Sequence, residues 1–372
     1  MDVVSGRPRA EQDMPHLASW FRRKPPTAAA PAAAGGTPTA SAAPAPRRGF
    51  VGRWRWPIGV VALLLFSGCW ALCWWWSREP EVFYVNEKTP DGRVVVGYST
   101  VDTLTRVISW LLDKPGGYIS NDVMPPSVFL DNMPSFEFGV VVQCRDLARV
   151  LRQDYSRSQS QSIEDKDLIV AEPDLNYTND RWLVPSTEGK YREALEALNR
   201  YKARLVDSNA NDAQFYARAD NLREWLAVVE RRLGSLSQRL SASVGQVRVN
   251  TDLSNTRGGE SARPSTGDVI VKTPWLEIDD VFYEARGSAW AMLLFLRAAQ
   301  FDFERTLTDK NAVVSLRQII RELEAALAPV HSPIILNGQE YGLFPNHSLV
   351  LASYLSRAQS AVIDLRELLE KG

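Results

Sequence analysis

Residues 215–240 read FYARADNLREWLAVVERRLGSLSQRL, and this stretch decides the fold class. Its apolar residues alternate in steps of four and three over nearly four heptads: Phe215, Ala219, Leu222, Leu226, Val229, Leu233, Leu236 and Leu240. A 3.5-residue period is typical of helices that pack against one another at about 20°, as in bundles and coiled coils. The stretch therefore predicts a long helix with one buried face.

Three later stretches repeat this spacing, and the first of them has a predicted N-cap and N1 proline at Thr273-Pro274. Their apolar positions are Trp275, Ile278, Phe282, Ala285, Ala289, Met292, Leu296, Ala299 and Phe303; Val313, Leu316, Ile320, Leu323 and Leu327; and Leu351, Tyr354, Ala358, Ala361, Leu365 and Leu368. No such helix can bury its stripe alone, so we predict a mainly α fold in which heptad-patterned long helices form a multi-helix bundle. Leu226 and Leu296 lie in mid-stripe and are expected to be fully buried.

The segment from Pro57 to Trp76 reads PIGVVALLLFSGCWALCWWW and carries no charge. About 20 apolar residues cross a bilayer core, and tryptophans at both ends suit its interfaces. We predict an uncleaved transmembrane helix bounded by Pro57 and Trp76. A cleaved signal peptide would have a shorter apolar region nearer the N-terminus. A lipoprotein site at Cys69 is disfavoured because the chain stays apolar beyond it.

The charges around this helix predict its orientation. The tail before it carries nine Lys or Arg and three Asp or Glu, and the whole chain has a net charge of −1, so the rest is acidic. The basic excess predicts a cytoplasmic N-terminus and places residues 77–372 on the other side of the membrane. An acidic outer domain is a poor partner for nucleic acid, which is bound through Lys and Arg. The predicted partner of the helix is the lipid bilayer, and no cofactor is predicted.

These features divide the chain into three predicted regions. Residues 1–50 form a disordered, Ala/Pro-rich cytoplasmic tail, and residues 51–78 hold the transmembrane helix and its flanks. Residues 79–372 form the helical bundle, with a candidate internal break at 245–272, where a long polar connection follows the first heptad stretch. Cys144 is the only cysteine beyond the span, so the domain forms no internal disulfide and depends on its own core.

Shorter signals place the first helices of the domain. Val94–Val96 predicts a short strand or a stalk, and Ser99–Asp102 resembles a capping box at the start of a helix. Pro134 is expected in the first turn of the next helix. Ser186 is the expected N-cap of a helix that ends at about Val206. The buried stripe of the Pro134 helix is predicted to be Phe136, Val140, Cys144, Leu147 and Leu151.

Eight strings in the outer domain resemble those of one bacterial family. They are LDKPGGY from Leu112, DVMPP from Asp122, LDNMP from Leu130, SRSQSQS from Ser156, AQFYARADNLREWL from Ala213, GSLSQRL from Gly234, VKTPWLEIDDVFYEARGSAW from Val271 and NHSLV from Asn346. This family consists of bacterial inner-membrane proteins known only as a domain of unknown function. The resemblance covers roughly residues 95–370 and implies an inner-membrane anchor and a periplasmic domain. It implies no activity, substrate or catalytic residue.

Three carboxylates are the first candidates for chemistry. Glu277, Asp280 and Glu284 fall on one flank of a predicted helix, away from its apolar stripe. They could ligate a divalent metal or share acid and base roles. A metal site in a helical bundle usually adds Glu-x-x-His pairs, and the sequence contains none. The interpretation we favour is a solvated acidic face that pairs with Arg or Lys, so no metal site is predicted.

His331 and His347 are the histidines of the outer domain, and both lie near turns. His347 is a candidate catalytic base, whereas Asn346-His347 also fits the cap of the last helix. The sequence contains no G-x-S-x-G, H-E-x-x-H or phosphate-binding glycine loop. The turn-rich loop from Asp113 to Pro126 predicts either a binding surface or a rigid helix connection.

Two main functions remain open. The first is a non-catalytic envelope protein whose periplasmic bundle binds or scaffolds partners, including other copies of itself. The second is a periplasmic enzyme such as a cell-wall hydrolase that uses Asp280, Glu284 or His347. A protein that signals across the membrane is a third, although the tail contains no effector domain. A pocket that gathers these side chains would favour the enzyme, and a filled core with the groups dispersed would favour the scaffold.

Overall fold

The computed structural model describes residues 51–158, 163–207, 212–249, 268–332, 334–339 and 342–371. The predicted disordered tail, residues 1–50, lies outside these residues. Most of the described chain is helical, which confirms the predicted mainly α fold. Residues 58–372 form one compact unit, and the packing described below belongs to it.

The described residues contain ten α-helices and two short strands. The helices are α1 (Val51–Trp76), α2 (Tyr98–Asp113), α3 (Asn132–Val150), α4 (Leu168–Leu175), α5 (Thr187–Val206), α6 (Ala219–Ser241), α7 (Ile278–Asp302), α8 (Glu304–Asp309), α9 (Val313–Ala326) and α10 (His347–Lys371). The strands β1 (Gln246–Val249) and β2 (Asp268–Val271) pair in antiparallel orientation. Both strands fall in the segment 245–272, which was predicted as an internal break.

Helix α1 contains the predicted span. Its segment Trp56–Trp76 is 21 residues long, has a mean hydropathy of 2.0 and is not buried in the protein. Within the described ranges it is the one helix long and apolar enough to cross a membrane. The helix ends at the predicted boundary, Trp76, but begins at Val51, upstream of Pro57.

The predicted capping box of α2 is wrong. The helix begins at Tyr98, and Asp302 at the C-terminal end of α7 supplies its cap. The Asp302 carboxylate accepts hydrogen bonds from the backbone N–H of Gly97 (2.8 Å) and Thr100 (2.7 Å) and from the Thr100 hydroxyl (2.6 Å). The Ser99 hydroxyl instead donates to the backbone carbonyl of Asn86. A distant carboxylate therefore satisfies N–H groups that a local side chain usually caps.

The heptad stripe of α6 is confirmed from Leu222 to Leu240, and the helix packs against α10. Phe215 precedes the helix, where its ring packs against Tyr155 and Phe303. Leu226 is fully buried, as predicted. Because the stripe is covered from within the chain, it is not free to bind a second copy.

The stripe of α7 is confirmed from Ile278 onward, and Leu296 is fully buried. The predicted start at Thr273-Pro274 is wrong: Pro274 precedes a 3₁₀ turn, and α7 begins at Ile278 with Glu277 as N-cap. Trp275 in that turn is 80% exposed. Its spacing fitted the heptad, but the tighter 3₁₀ turn rotates it off the buried face.

In α10 the buried stripe differs from the predicted one. The buried apolar residues are Leu351, Ala352, Leu355, Ala358, Val362, Leu365 and Leu369, whereas Leu368 is exposed and Tyr354 and Ala361 are only partly buried. The neighbours of α10 explain the shift. The helix packs between α6 and α9, so its buried face is wider than one heptad stripe.

Helices α3 and α7 cross at close range. A Cβ at Gly139 of α3 would overlap the carbonyl oxygen of Glu284, and a Cβ at Gly287 of α7 would overlap that of Phe136. The Ser288 hydroxyl donates to the Gly139 carbonyl at 3.2 Å. These glycines are needed because the two backbones touch without side chains between them.

Most other local predictions are confirmed. Pro134 lies in the first turn of α3, and the predicted stripe from Phe136 to Leu151 is buried. Ser186 caps α5 by accepting a hydrogen bond from the N–H of Gly189. The strand alternative at Val94–Val96 is wrong, because Val94 and Val95 pair with no strand in the described chain and Val96 lies in a turn.

Candidate functional site

Glu284 is held in an ion pair. Its two carboxylate oxygens accept hydrogen bonds from Arg239 of α6 at 2.5 and 2.6 Å, and its side chain is 15% exposed. The hydrogen bond to Glu284 raises the pKa of Arg239. A bidentate pair of this kind satisfies both carboxylate oxygens, so Glu284 links α7 to α6.

Asp280 belongs to a group of acids where α3 and α7 begin. It accepts a hydrogen bond from the Ser135 hydroxyl at 2.9 Å. Burial raises its pKa; the Ser135 hydrogen bond opposes the rise, and the negative charges of Asp279, Asp131 and Glu277 add to it. Within the described ranges, no three His, Cys, Asp or Glu side chains are arranged to hold a metal ion. Of the three carboxylates predicted on one flank of the helix, Asp280 therefore contacts Ser135 whereas Glu284 contacts Arg239.

His347 lies at the first turn of α10, after a cap that Asn346 provides. The Asn346 side-chain oxygen accepts from the N–H of Leu349, as predicted for this pair. The ring nitrogen Nδ1 of His347 accepts from the backbone N–H of Leu336 at 3.1 Å, and the His347 N–H donates to the Leu336 carbonyl at 2.9 Å. The histidine therefore joins α10 to the hairpin before it, which is closed by the antiparallel bridge between Asn337 and Asn346.

A cleft of about 250 Å³ contains His347 and the other histidine of the domain. Its lining residues are Phe282, Arg286, Ala325, Ala326, Ala328, Pro329, Val330, His331, His347, Val350, Leu351 and Tyr354. Neither Asp280 nor Glu284 is among them. The structure brings two histidines to one cleft, but the carboxylates that would complete an acid–base pair or a triad lie elsewhere.

Arg286 was missed by the sequence analysis. Its guanidinium is buried and binds the Glu79 carboxylate, with the shortest distance 2.6 Å. It also donates to the carbonyls of Ala326 (3.3 Å) and Ala328 (3.1 Å) at the end of α9. The signal in the sequence was an arginine that directly follows Ala285, a residue of the apolar stripe of α7. Its role is to tie Glu79, which follows the span closely, to the core.

Lys114 and Glu137 form a second buried pair that sequence reasoning missed. Their side chains are 2.7 Å apart and almost inaccessible to solvent. Glu137 also accepts from the backbone N–H groups of Ile119 and Ser120 and from the Ser120 hydroxyl. Burial raises the pKa of Glu137, and Lys114 opposes that rise. This network gives the loop after α2 a rigid base, in agreement with the rigid-connection alternative.

Two loops carry exposed apolar tips, and the first of them lies against α1. The first tip is residues 123–130, in which Val123, Met124, Val128 and Phe129 are exposed; the second tip is residues 182–184, with Trp182, Leu183 and Val184 exposed. The side-chain amide of Asn121 donates to the Arg181 carbonyl at 3.2 Å and joins the two loops. The first tip also touches α1, where the Cys73 thiol lies 3.7 Å from the Pro126 carbonyl.

Comparison with known proteins identifies a family but no activity. Residues 50–372 match a family described as an uncharacterised protein conserved in bacteria (DUF2333), and the chain belongs to this family. No curated protein and no solved structure shows significant similarity to the chain.

Proposed function

We propose that this member of the bacterial family is a single-pass protein of the inner membrane whose periplasmic helical domain binds and positions envelope partners without catalysis. The apolar helix α1 and the basic residues before it support a cytoplasmic N-terminus and a periplasmic domain. The match to a family conserved in bacteria is consistent with this compartment.

One observation carries the non-catalytic interpretation: the groups suited to chemistry are engaged in structural contacts at separate places. Glu284 pairs with Arg239, Asp280 accepts from Ser135, and His347 accepts at Nδ1 from the backbone of Leu336. A catalytic constellation needs its nucleophile, base and orienting group within hydrogen-bond reach of one another. The distribution of these contacts therefore favours a scaffold.

The hairpin before α10 offers a surface for a protein partner. Its base is held by the Gly338 N–H, which donates to the Pro345 carbonyl, and by the Asn346 side chain, which donates to the Gly338 carbonyl at 2.7 Å. Leu343 is fully exposed and Phe344 is 70% exposed. Apolar side chains on a pinned turn are typical of an anchor that enters a pocket on a partner.

In-cell photo-crosslinking tests this proposal. A photoreactive amino acid at Leu343 in the full-length chain should give a discrete adduct with one envelope protein or a second copy. The same photoreactive amino acid in place of Val314, which is exposed on the surface of α9, should give no such adduct. Phe344→Ser should abolish the adduct, because it removes the apolar side chain next to the crosslinking position. If Leu343 gives no adduct, or gives the same products as Val314, the hairpin does not bind a partner.

The enzyme alternative rests on the cleft that holds His331 and His347. Purified full-length protein in detergent should release no soluble fragments from isolated cell walls. The wild-type chain could instead release fragments, and His347→Gln could abolish this release without changing thermal unfolding. That result would contradict the scaffold proposal and identify the protein as a hydrolase.

A further inference from the structure

We propose that the first tip, residues 123–130, lies in the bilayer beside α1, and that the groove between them holds a phospholipid acyl chain. This proposal rests on the membrane anchoring proposed above for α1. It adds a lipid site and a second membrane contact to the single helix.

Both loop tips present apolar side chains to the outside of the protein. Met124 and Phe129 of the first tip are each 67% exposed, and Val184 of the second tip is 93% exposed. Apolar patches of this kind on a domain that follows a span mark membrane or protein contacts. A tryptophan, Trp182, stands among them, and indole rings favour the membrane interface.

Both tips are held in place at their bases. The buried Lys114–Glu137 pair fixes the backbone at Ile119 and Ser120, just before the first tip. The hydrogen bond from Asn121 to the Arg181 carbonyl fixes the second loop against the first. Because their bases are rigid, the tips keep their apolar side chains outside the protein core.

The groove lies between α1 and the first tip. One wall is α1 itself, and the other is the end of the first tip; the lining residues are Phe66, Cys69, Trp70, Cys73, Trp74, Ser77, Phe129 and Leu130. Phe66 lies ten residues before the end of α1, which corresponds to about 15 Å of helix. A bilayer core is about 30 Å thick, so the groove extends through roughly one half of it. At this depth the surrounding medium is acyl chain rather than water.

The size of the groove favours a lipid chain over a second helix. Its volume of about 520 Å³ over about 15 Å of length gives a mean cross-section of about 35 Å². An α-helix with side chains is at least about 10 Å wide and needs about 80 Å². The groove therefore accommodates a single hydrocarbon chain along its length but does not enclose a whole helix.

Depth-dependent quenching in vesicles tests the position of the tip. Full-length protein with Cys69→Ala and Cys73→Ser, which keeps a hydroxyl donor beside the Pro126 carbonyl, would carry a fluorescent label on a new cysteine at one of three sites: Leu64→Cys on α1, Phe129→Cys on the tip, or Val314→Cys on α9. Vesicles of phosphatidylethanolamine and phosphatidylglycerol with brominated acyl chains should quench the label strongly at the first two sites and hardly at the third. Quenching at Leu64→Cys but not at Phe129→Cys would overturn the tip insertion alone. No quenching at Leu64→Cys would overturn the anchor itself.

Photoreactive acyl-chain phospholipid in the same vesicles tests the occupant of the groove. Adducts are expected on the peptides that contain Phe66–Trp74 and Phe129–Leu130. Leu130→Trp should fill the groove and reduce these adducts at least severalfold, while the quenching at Phe129→Cys stays unchanged. Adducts that are insensitive to Leu130→Trp, or protein dimers linked through the groove residues in place of lipid adducts, would overturn the lipid site.

Discussion

Replacing Asp302 by Asn should change the pH dependence of the domain's stability. Its buried carboxyl caps α2 from the end of α7, and this one contact connects two helices about 200 residues apart in sequence. Burial raises the pKa of Asp302 to about 6, although the hydrogen bonds from Thr100 and Gly97 oppose the rise. The ordinary value for this group is 3.8.

The size and sign of the effect follow from this pKa. A rise from 3.8 to about 6 corresponds to about 3 kcal/mol between the two protonation states. Because the pKa is higher in the folded chain, the stabilisation is fully present below about pH 3.8 and is lost as the pH rises through about 6. At pH 7 the wild-type fold therefore bears the cost of a buried carboxylate.

The side-chain amide of the Asp302→Asn variant would be neutral at every pH. Its oxygen can still accept from Gly97, but its nitrogen cannot accept from the N–H of Thr100. We expect the free energy of unfolding of wild type, relative to the variant, to rise by about 2.4 kcal/mol between about pH 7 and about pH 4, because the unfolded carboxyl is still partly ionised at about pH 4. Urea unfolding of residues 79–372, followed by circular dichroism at several pH values, measures this difference. Other carboxylates titrate in both proteins and cancel.

A difference in free energy of unfolding between the two proteins that stays constant over that pH range would refute the raised pKa of Asp302. Such a result would mean that Asp302 stays ionised in the fold and that water or a counterion reaches it. A second refuting result is a variant that gains stability relative to wild type on acidification.

Three further outcomes are expected. A reporter active only in the periplasm should be active at the C-terminus of the chain, and activity of a cytoplasm-only reporter there would contradict the topology. Leu226→Ala and Leu296→Ala should each lower the free energy of unfolding by about 2–5 kcal/mol, whereas Glu277→Ala on the exposed flank should change it by less than about 0.5 kcal/mol. Arg286→Met should cost about 3–5 kcal/mol because it leaves Glu79 without its cation, and adding Glu79→Gln should recover part of that loss in a double-mutant cycle; strict additivity would contradict the pairing.

Sequence periodicity predicted the elements whose causes are local. The helix from Ser186 to Val206 was placed at both ends, because its cap and stripe lie within the helix itself. The α6 stripe from Leu222 and the buried position of Leu296 followed from heptad spacing in the same way. Errors arose at Trp275 and in α10, where the spacing continued but the backbone geometry or the number of neighbouring helices changed.

What the sequence by itself determined is the mainly α class, the apolar helix and the residues that fill the core. The amphipathic helices of the bundle and the apolar helix α1 are both predicted by the spacing of apolar residues close together in sequence. This spacing does not depend on what the helix packs against. Only the tertiary structure decided that Asp302 caps α2, that Arg286 holds Glu79, that Asp280, Glu284 and His347 lie in separate contacts, and that the apolar tip at residues 123–130 lies against α1. These depend on which distant residues meet, and a buried charge or an exposed apolar side chain is recognisable only once its neighbours are known.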